Sequence, residues 1–294
     1  MGPVEYGIIG GTGLYEMAGF DRAEKVVLKT PFGEPSDAYF LGTLAGRRIA
    51  FLPRHGEGHR LLPSEVNSRA NLYGFKLLEA KAILSVSAVG SLREKYHPGD
   101  VLVPDQMVDR TRHRADTFFG GGVAAHVSFA DPFCPVLRER LLEACREQGL
   151  RAHDGGAYLC MEGPMFSTRA ESNLYRSWGM DVIGMTNLTE AKLAREAEIC
   201  YATLAMVTDY DCWHPDHDSV QIQDVIEILR QNSENAKAVL TRALRHPAPD
   251  GGACACPRAL ENAVVTARRA WPEATYRRLQ PLLRRISEGP ENKP

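Results

Sequence analysis

The sequence predicts an α/β fold: a single domain on a central mixed, largely parallel twisted sheet flanked by helices. Three observations predict it. Short apolar runs recur along the chain, each cut off by glycine, proline or a polar residue. Stretches with helical apolar spacing lie between them, and no repeat or low-complexity segment interrupts the alternation. Composition agrees, since 294 residues at 44% hydrophobic and 24% charged are ordinary for a globular chain and long enough to bury one large core.

The first strand is expected over 6–9, where Tyr6-Gly7-Ile8-Ile9 stops at Gly10-Gly11-Thr12-Gly13. Further strands are expected over 48–53, ending at Arg54-His55-Gly56, and over 82–89, ending at Gly90-Ser91. The runs at 100–104, 156–161, 180–184 and 201–208 complete the set. The spacing predicts helices over 64–78, 135–148, 167–178, 187–197 and 223–244, the first opening on a Ser cap and the third on a Ser/Thr cap. The stretch Pro247-Ala248-Pro249-Asp250-Gly251-Gly252 is the one candidate linker. It divides an α/β domain over 1–246 from a C-terminal loop and helix over 247–294, packed on the same domain.

Charge and cysteine usage exclude several classes. A net charge of −2 leaves no basic excess for nucleic acid, and the run Arg268, Arg269, Arg277, Arg278, Arg284 and Arg285 reads as a solvated helix face. No apolar run approaches the roughly 20 residues of a membrane span, and the N-terminus lacks a signal-peptide pattern, so a cytoplasmic protein without a membrane partner is expected. Seven cysteines give no framework for a small secreted fold. Cys134, Cys145, Cys160, Cys200 and Cys212 read as buried small hydrophobes. Cys254-Ala255-Cys256 has too few partners nearby in sequence for a zinc site, and forms a local disulfide or stays reduced; no metal site is expected. The three tryptophans, Trp178, Trp213 and Trp271, and most phenylalanines are assigned to the core.

Ligand sites in open α/β sheets gather at the carboxyl ends of strands. There, Gly10-Gly11-Thr12-Gly13 offers unhindered N–H groups and a hydroxyl that can wrap an anion, though a plain tight turn fits equally. It is not a dinucleotide fingerprint, because the third glycine falls on Glu16, and no acidic residue about 20 positions on ends a strand. Arg54 and His55 present a guanidinium and an imidazole suited to phosphate oxygens, against the bland reading of a surface Arg and a packed His. With Thr12, Ser87 and Thr186 they make a neutral-to-cationic oxyanion cage, and Ala88 and Ser91 add further N–H and hydroxyl donors. Thr208-Asp209-Tyr210-Asp211 closes another apolar strand. Two carboxylates there can accept from an exocyclic amine, or donate to a ring nitrogen when protonated; a helix N-cap is the alternative.

Taken together, the motifs Gly7-Ile8-Ile9-Gly10-Gly11-Thr12-Gly13-Leu14, Pro53-Arg54-His55-Gly56, Glu162-Gly163-Pro164-Met165-Phe166-Ser167-Thr168, Ile183-Gly184-Met185-Thr186 and Ala205-Met206-Val207-Thr208-Asp209-Tyr210-Asp211-Cys212-Trp213 resemble the methylthioadenosine phosphorylase branch of the trimeric purine-nucleoside phosphorylases. The blocks run in family order over about 6–244. The resemblance implies that Thr12, Arg54, His55, Ser87, Ala88 and Thr186 bind phosphate. It implies that Met185 lies against the ribose, that Phe166 flanks the purine, and that Asp209 and Asp211 read its N7 and 6-amino edge as the catalytic pair. His126 would reach a neighbouring subunit's site, and Ile222, Val225 and Ile226 would wall the methylthio group. Relatives that prefer 6-oxopurines tend to carry Asn where this chain has Asp209, so adenine is favoured over hypoxanthine.

The chain departs from the family pattern with Ser87 for a common Thr, Met165 at an often basic position, and Asn187-Leu188-Thr189-Glu190 for a Val-Pro-Glu run. The Cys-x-Cys tail resembles that of some microbial members in which the pair can be oxidised. The implied reaction is phosphorolysis of methylthioadenosine, with phosphate as co-substrate and no cofactor, in a homotrimer or dimer of trimers. The rivals are a broader nucleoside phosphorylase acting on adenosine or inosine, a hydrolytic nucleosidase and a non-catalytic nucleoside binder.

Overall fold

A computed structural model describes residues 2–11, 14, 20–214 and 222–287. In chain order the strands are β1 (Tyr6–Gly10), β2 (Asp21–Val26), β3 (Tyr39–Leu44), β4 (Arg47–Pro53), β5 (Ala82–Ser91), β6 (Val101–Val103), β7 (Gln106–Arg110), β8 (Ala152–Asp154), β9 (Ala157–Met161), β10 (Val182–Gly184) and β11 (Cys200–Tyr210). The helices are α1 (Ser68–Leu77), α2 (Pro135–Glu147), α3 (Arg169–Ser177), α4 (Asn187–Glu196), α5 (Ile222–Ala243) and α6 (Glu273–Ser287). All strands belong to one 11-stranded sheet. The pairings β1–β4, β1–β5, β5–β11, β9–β10, β7–β9 and β6–β8 are parallel, while β2–β3, β3–β4, β5–β10 and β6–β11 are antiparallel. The sheet is therefore mixed and largely parallel.

Each central strand is apolar on both faces because helices cover both. Ile9, Ala50, Leu52, Ile83 and Tyr201 pack with α1, α4 and α6, through Leu72, Phe75, Leu193, Leu279 and Leu283. Their sequence neighbours Ile8, Ile49, Phe51, Leu84 and Ala202 pack on the opposite side with α2 and α5, through Leu141, Val239 and Leu240. Alternation at period two thus feeds two separate cores from one strand. The segment beyond 247 joins both: Leu260, Leu279, Leu282 and Leu283 enter the first core and Cys256 the second.

The elements missed by periodicity are β2, β3, β7 and β8. The strands β2 and β7 are the two ends of the main strand path, and most of β7 is exposed, so neither needs an apolar run. The first helix begins later than expected: Asn67, not Ser64, caps α1, its side chain accepting from the Ala70 N–H at 3.1 Å. Thr168 caps α3 in a reciprocal capping box with Glu171. Trp178 is not a core residue; it is 46% exposed beneath the Arg110 guanidinium. Nor is the basic terminal helix only a solvated face, because Arg285 chelates the buried carboxylate of Glu198 at 2.9 and 2.5 Å. No helix among the described residues is long and apolar enough to cross a membrane.

One topological detail opens the sheet. On one side, β5 pairs with β1 through Ser85 and then with β10 at Gly90 and Ser91. Residues 86–89 between them have no partner strand on that side. The carboxyl ends of β1 and β10 both run into this gap, and the cavity described next lies there.

Candidate active site

A cavity of about 830 Å³ fills the gap. Its floor is the stretch of β5 that pairs on one side only, including Val86, Ser87, Ala88 and Val89; Gly11, Arg54 and His55 approach from one side and Ile183, Gly184, Met185 and Thr186 from the other. Met206, Thr208, Asp209 and Asp211 of β11 and its end line the far part, and α5 contributes Leu229, Arg230, Asn232, Ser233 and Glu234.

Arg54 is only 2% exposed, and a cation so buried requires a counter-charge. Glu190, on α4, provides it. Nε donates to Glu190 Oε1 at 2.5 Å and Nη2 to Oε2 at 3.3 Å; Nη2 also donates to Ser85 Oγ at 2.6 Å, and Nη1 to the Val86 carbonyl at 2.9 Å. The Ser85 and Tyr201 hydroxyls donate to the same Glu190 carboxylate at 2.9 and 2.8 Å. This corrects the expected clamp: the bidentate edge of Arg54 is spent on Glu190, leaving one Nη1 N–H for a ligand. Sequence spacing gave no sign of Glu190, because the two residues stand 136 positions apart.

His55 is 7% exposed, with Nδ1 2.9 Å from the Leu61 carbonyl. A carbonyl only accepts, so Nδ1 carries the proton and the neutral ring turns a lone pair outward at Nε2. Burial, then the neighbouring Arg54 cation, pulls its pKa down to about 4. The ring stacks on His59 at 4.3 Å. The cage therefore contains a neutral imidazole, not a second cation.

Two further groups complete this end. Ser87 Oγ lies 3.1 Å from the Tyr158 hydroxyl, beside the exposed Ala88. Thr186 is the N-cap of α4, so that helix starts at the cavity with the positive end of its dipole. A helix N-terminus, hydroxyls and one guanidinium N–H are a binding set for an oxyanion.

The other end is acidic. In β11 the register with β5 shifts between Val207 and Asp209, a bulge that places Thr208 opposite no residue. The bulge resets the alternation of side chains, so Met206 and Thr208 line the cavity and so do Asp209 and Asp211. Thr208 Oγ1 donates to Asp209 Oδ2 at 2.6 Å. Burial, despite that hydrogen bond and with a further push from Asp211, raises the Asp209 carboxyl above the usual carboxylate range. Asp211 is 8% exposed, and its Oδ2 is buried with no partner among the described residues. Asn232 Oδ1 is likewise buried without a partner among the described residues, while its Nδ2 donates to the Val207 carbonyl at 2.9 Å. Gly90 makes this crowding possible, since a Cβ there would stand 3.1 Å from Asp209 Oδ1. The carboxylates close a strand and do not cap a helix.

Of the residues singled out from sequence, the cavity gathers Arg54, His55, Ser87, Ala88, Phe166, Met185, Thr186, Asp209 and Asp211. Phe166 is 83% exposed at its mouth. Met185 is held by Arg114, whose Nη1 donates to the Met185 carbonyl at 2.6 Å and whose Nη2 donates to the Glu162 carbonyl at 2.7 Å. His126 is exposed and does not line the cavity; its N–H donates to the Ala263 carbonyl. Thr12 lies outside the described residues, as do the side chains of Ile222, Val225 and Ile226, whose backbone is in α5. Ser85, Glu190, Tyr158 and Asn232 were not singled out. The Cys-x-Cys pair also requires correction, because the fold brings Cys134 and Cys200 to Cys254 and Cys256.

Comparison with known proteins gives a consistent answer. A profile of the Phosphorylase superfamily matches residues 5–245. A Koribacter versatilis S-methyl-5′-thioadenosine phosphorylase is 56% identical over 276 residues, covering 94% of each chain. A Geobacter sulfurreducens protein of the same name is 56% identical over 274 residues, covering 93% of this chain and 96% of the relative. A crystal structure of a methylthioadenosine phosphorylase from an antarctic soil metagenomic library superposes with a TM-score of 0.92 at 48% identity, over 96% of this chain and all of that one. A Schistosoma mansoni methylthioadenosine phosphorylase in complex with adenine gives 0.78 at 36% identity, over 82% and 91%.

Proposed function

The chain belongs to the phosphorylase superfamily, and we propose that it is a pentosyltransferase that splits S-methyl-5′-thioadenosine with inorganic phosphate into adenine and 5-methylthioribose 1-phosphate. One observation carries the reading: a single cavity opposes a carboxyl pair, half-buried Asp209 and buried Asp211, to an oxyanion-binding end built on Ser87, Thr186 and the start of α4. The names of the relatives at 56% identity support the same substrate.

Phosphate sits at the α4 end, held by Thr186, Ser87, the Ala88 backbone, the last Arg54 N–H and Thr12. His55 Nε2 accepts from the hydroxyl of monohydrogen phosphate, which a cationic imidazole could not do. The ribose lies over Met185, and adenine reaches the acidic end beside Phe166. A phosphate oxygen bonds to C1′ as the C1′–N9 bond breaks through an oxocarbenium-like state. The Asp209 carboxyl, raised by its burial above the usual carboxylate range, passes a proton to N7, so neutral adenine leaves, and solvent restores the proton. Asp211 accepts from the 6-amino group with the oxygen that now lacks a partner. The phosphate charge faces the developing positive sugar, so much of the rate comes from fixed electrostatics.

No step calls for a metal or organic cofactor. The chain works as a homotrimer or a dimer of trimers, in which the exposed His126 meets a neighbour's site, and Ile222, Val225 and Ile226 wall the methylthio group. All seven cysteines are free, which suits the reducing cytoplasm.

Incubation with methylthioadenosine, with and without phosphate, tests the proposal by chromatography of free adenine. Adenine and a sugar 1-phosphate only when phosphate is present are expected. Adenine without phosphate would make the protein a hydrolase; binding without adenine, a non-catalytic binder. Faster turnover of inosine than of methylthioadenosine would overturn the assigned base edge.

A further inference from the structure

Far from the cavity, three remote segments bring four cysteines together. Cys134 immediately precedes α2, Cys200 opens β11, and Cys254 and Cys256 come from the segment after the linker, Cys256 starting a short 3-10 turn, Cys256–Arg258. Their Sγ atoms all lie within 4.8 Å of one another, with Cys200 and Cys254 3.4 Å apart, and none is in a disulfide. We propose that Cys134, Cys200, Cys254 and Cys256 form a tetrathiolate site for one zinc ion, which fastens the C-terminal segment to the sheet.

Geometry favours a single ion. A tetrahedron with metal–sulfur bonds of about 2.3 Å has edges of about 3.8 Å, so closure needs movements of an ångström or less. An iron–sulfur cubane spreads its thiolates wider. The donor set contains sulfur only, which selects a soft or borderline metal over magnesium or calcium. Cys134 and Cys200 are completely buried, Cys256 is 5% exposed and Cys254 is half-buried, so three of the four thiolates are shielded from water, as in a structural site. Cys134 and Cys200 are also already fixed in place, one by the start of α2 and the other by its pairing with Ala82.

Loading is balanced in charge and protons. One zinc dication enters, four thiol protons leave to solvent, and the product carries a net −2. The N-terminus of α2, directly after Cys134, offsets part of that charge. A second cavity of about 660 Å³ is lined by Cys256 together with Arg195 and Arg258, which offset more of it. Asp105, Asp131 and Glu261 line the same cavity and give an incoming cation an access route.

The site would anchor the start of a strap. Just beyond it, Ala125 bridges Val264, the His126 N–H donates to the Ala263 carbonyl, and the Val265 N–H donates to the Ala124 carbonyl. Zinc would thus hold the segment on which the His126 loop is laid.

The test is elemental analysis of the full chain, purified under reducing conditions from zinc-supplemented medium, followed by exchange with cobalt(II). One zinc per chain and a cobalt derivative with thiolate charge-transfer and tetrahedral d–d absorption are expected. Cys254→Ser with Cys256→Ser should lose the metal and lower Tm, whereas Cys212→Ser, outside the cluster, should keep full stoichiometry. If the double variant does not fold, the cobalt spectrum of the unaltered chain decides. Four alkylatable thiols with no metal after zinc exposure would overturn the proposal, and so would two disulfides in the same reduced preparation.

Discussion

Arg54 and Glu190 form a buried ion pair in which Nε meets Oε1 at 2.5 Å, and both side chains are 3% exposed. The pair fixes which guanidinium edge faces the cavity, so Glu190 is predicted to control phosphate affinity without touching phosphate. Glu190→Gln keeps the shape but removes the counter-charge, and about a tenfold rise in the KM for phosphate is expected, with a smaller change in the KM for the nucleoside. Glu190→Leu leaves a buried cation unpaired and should cost about 3–5 kcal/mol in denaturant unfolding. An unchanged phosphate KM in Glu190→Gln would refute the positioning role.

The Nδ1–H of His55 is committed to Leu61, and the ring is neutral above about pH 5, given its depressed pKa of about 4. The profile of kcat/KM for phosphate against pH should therefore lack a histidine limb near 6.5. Unfolded His55 binds its proton more tightly than folded His55. Its contribution to stability is thus present above about pH 6.5 and is lost as pH falls through about 4. Titration of His55 by NMR with a midpoint near 6.5 would contradict this.

Asp209 and Asp211 differ in surroundings and should differ in effect. Asp209→Asn removes the proton that N7 receives, and a fall in kcat of about 10²–10⁴ is expected. Because burial raises the Asp209 carboxyl, activity should decline as Asp209 ionises over a pH range above the usual carboxylate one. Asp211→Asn should instead act mainly on nucleoside binding, since the partnerless Oδ2 is an acceptor waiting for an amine. Equal losses in kcat from both variants would remove the distinction.

Glu196 is a buried carboxyl away from the cavity whose pKa burial raises to about 7; its oxygens accept from Thr117 Oγ1 and the Phe118 N–H, both at 2.7 Å. The folded chain holds this proton more tightly than the unfolded one. Its contribution is therefore complete below about pH 4.5 and is lost as pH rises through about 7, by at most on the order of 3 kcal/mol. Thermal unfolding of Glu196→Gln between pH 5 and 8 should show a flatter dependence than the parent (roughly the ordinary Glu-to-neutral window). Parallel curves would assign the slope to other groups.

Much of the fold is legible in the residues themselves. Apolar runs at Tyr6-Gly7-Ile8-Ile9 and Ala82-Ile83-Leu84, bounded by glycine or polar residues, suit strands covered on both faces, and their polar endings mark the cavity. The edge strands β2 and β7 escape such a reading because half of an edge meets water and selects no apolar pattern.

The sequence by itself determined the fold class, the strand ends that meet at the cavity, and the kinds of group available there: an anion-binding set and a carboxylate pair. Only the tertiary structure decided how those groups are used. The bulge at Thr208 aims Asp209, Glu190 turns the edge of Arg54, Leu61 fixes the tautomer of His55, and distant Cys134 and Cys200 join Cys254 and Cys256. The reason is physical: periodicity and caps act between residues a few positions apart, whereas charge pairing, hydrogen bonding and thiolate clustering depend on distance in space. That distance exists only once the strands are in register.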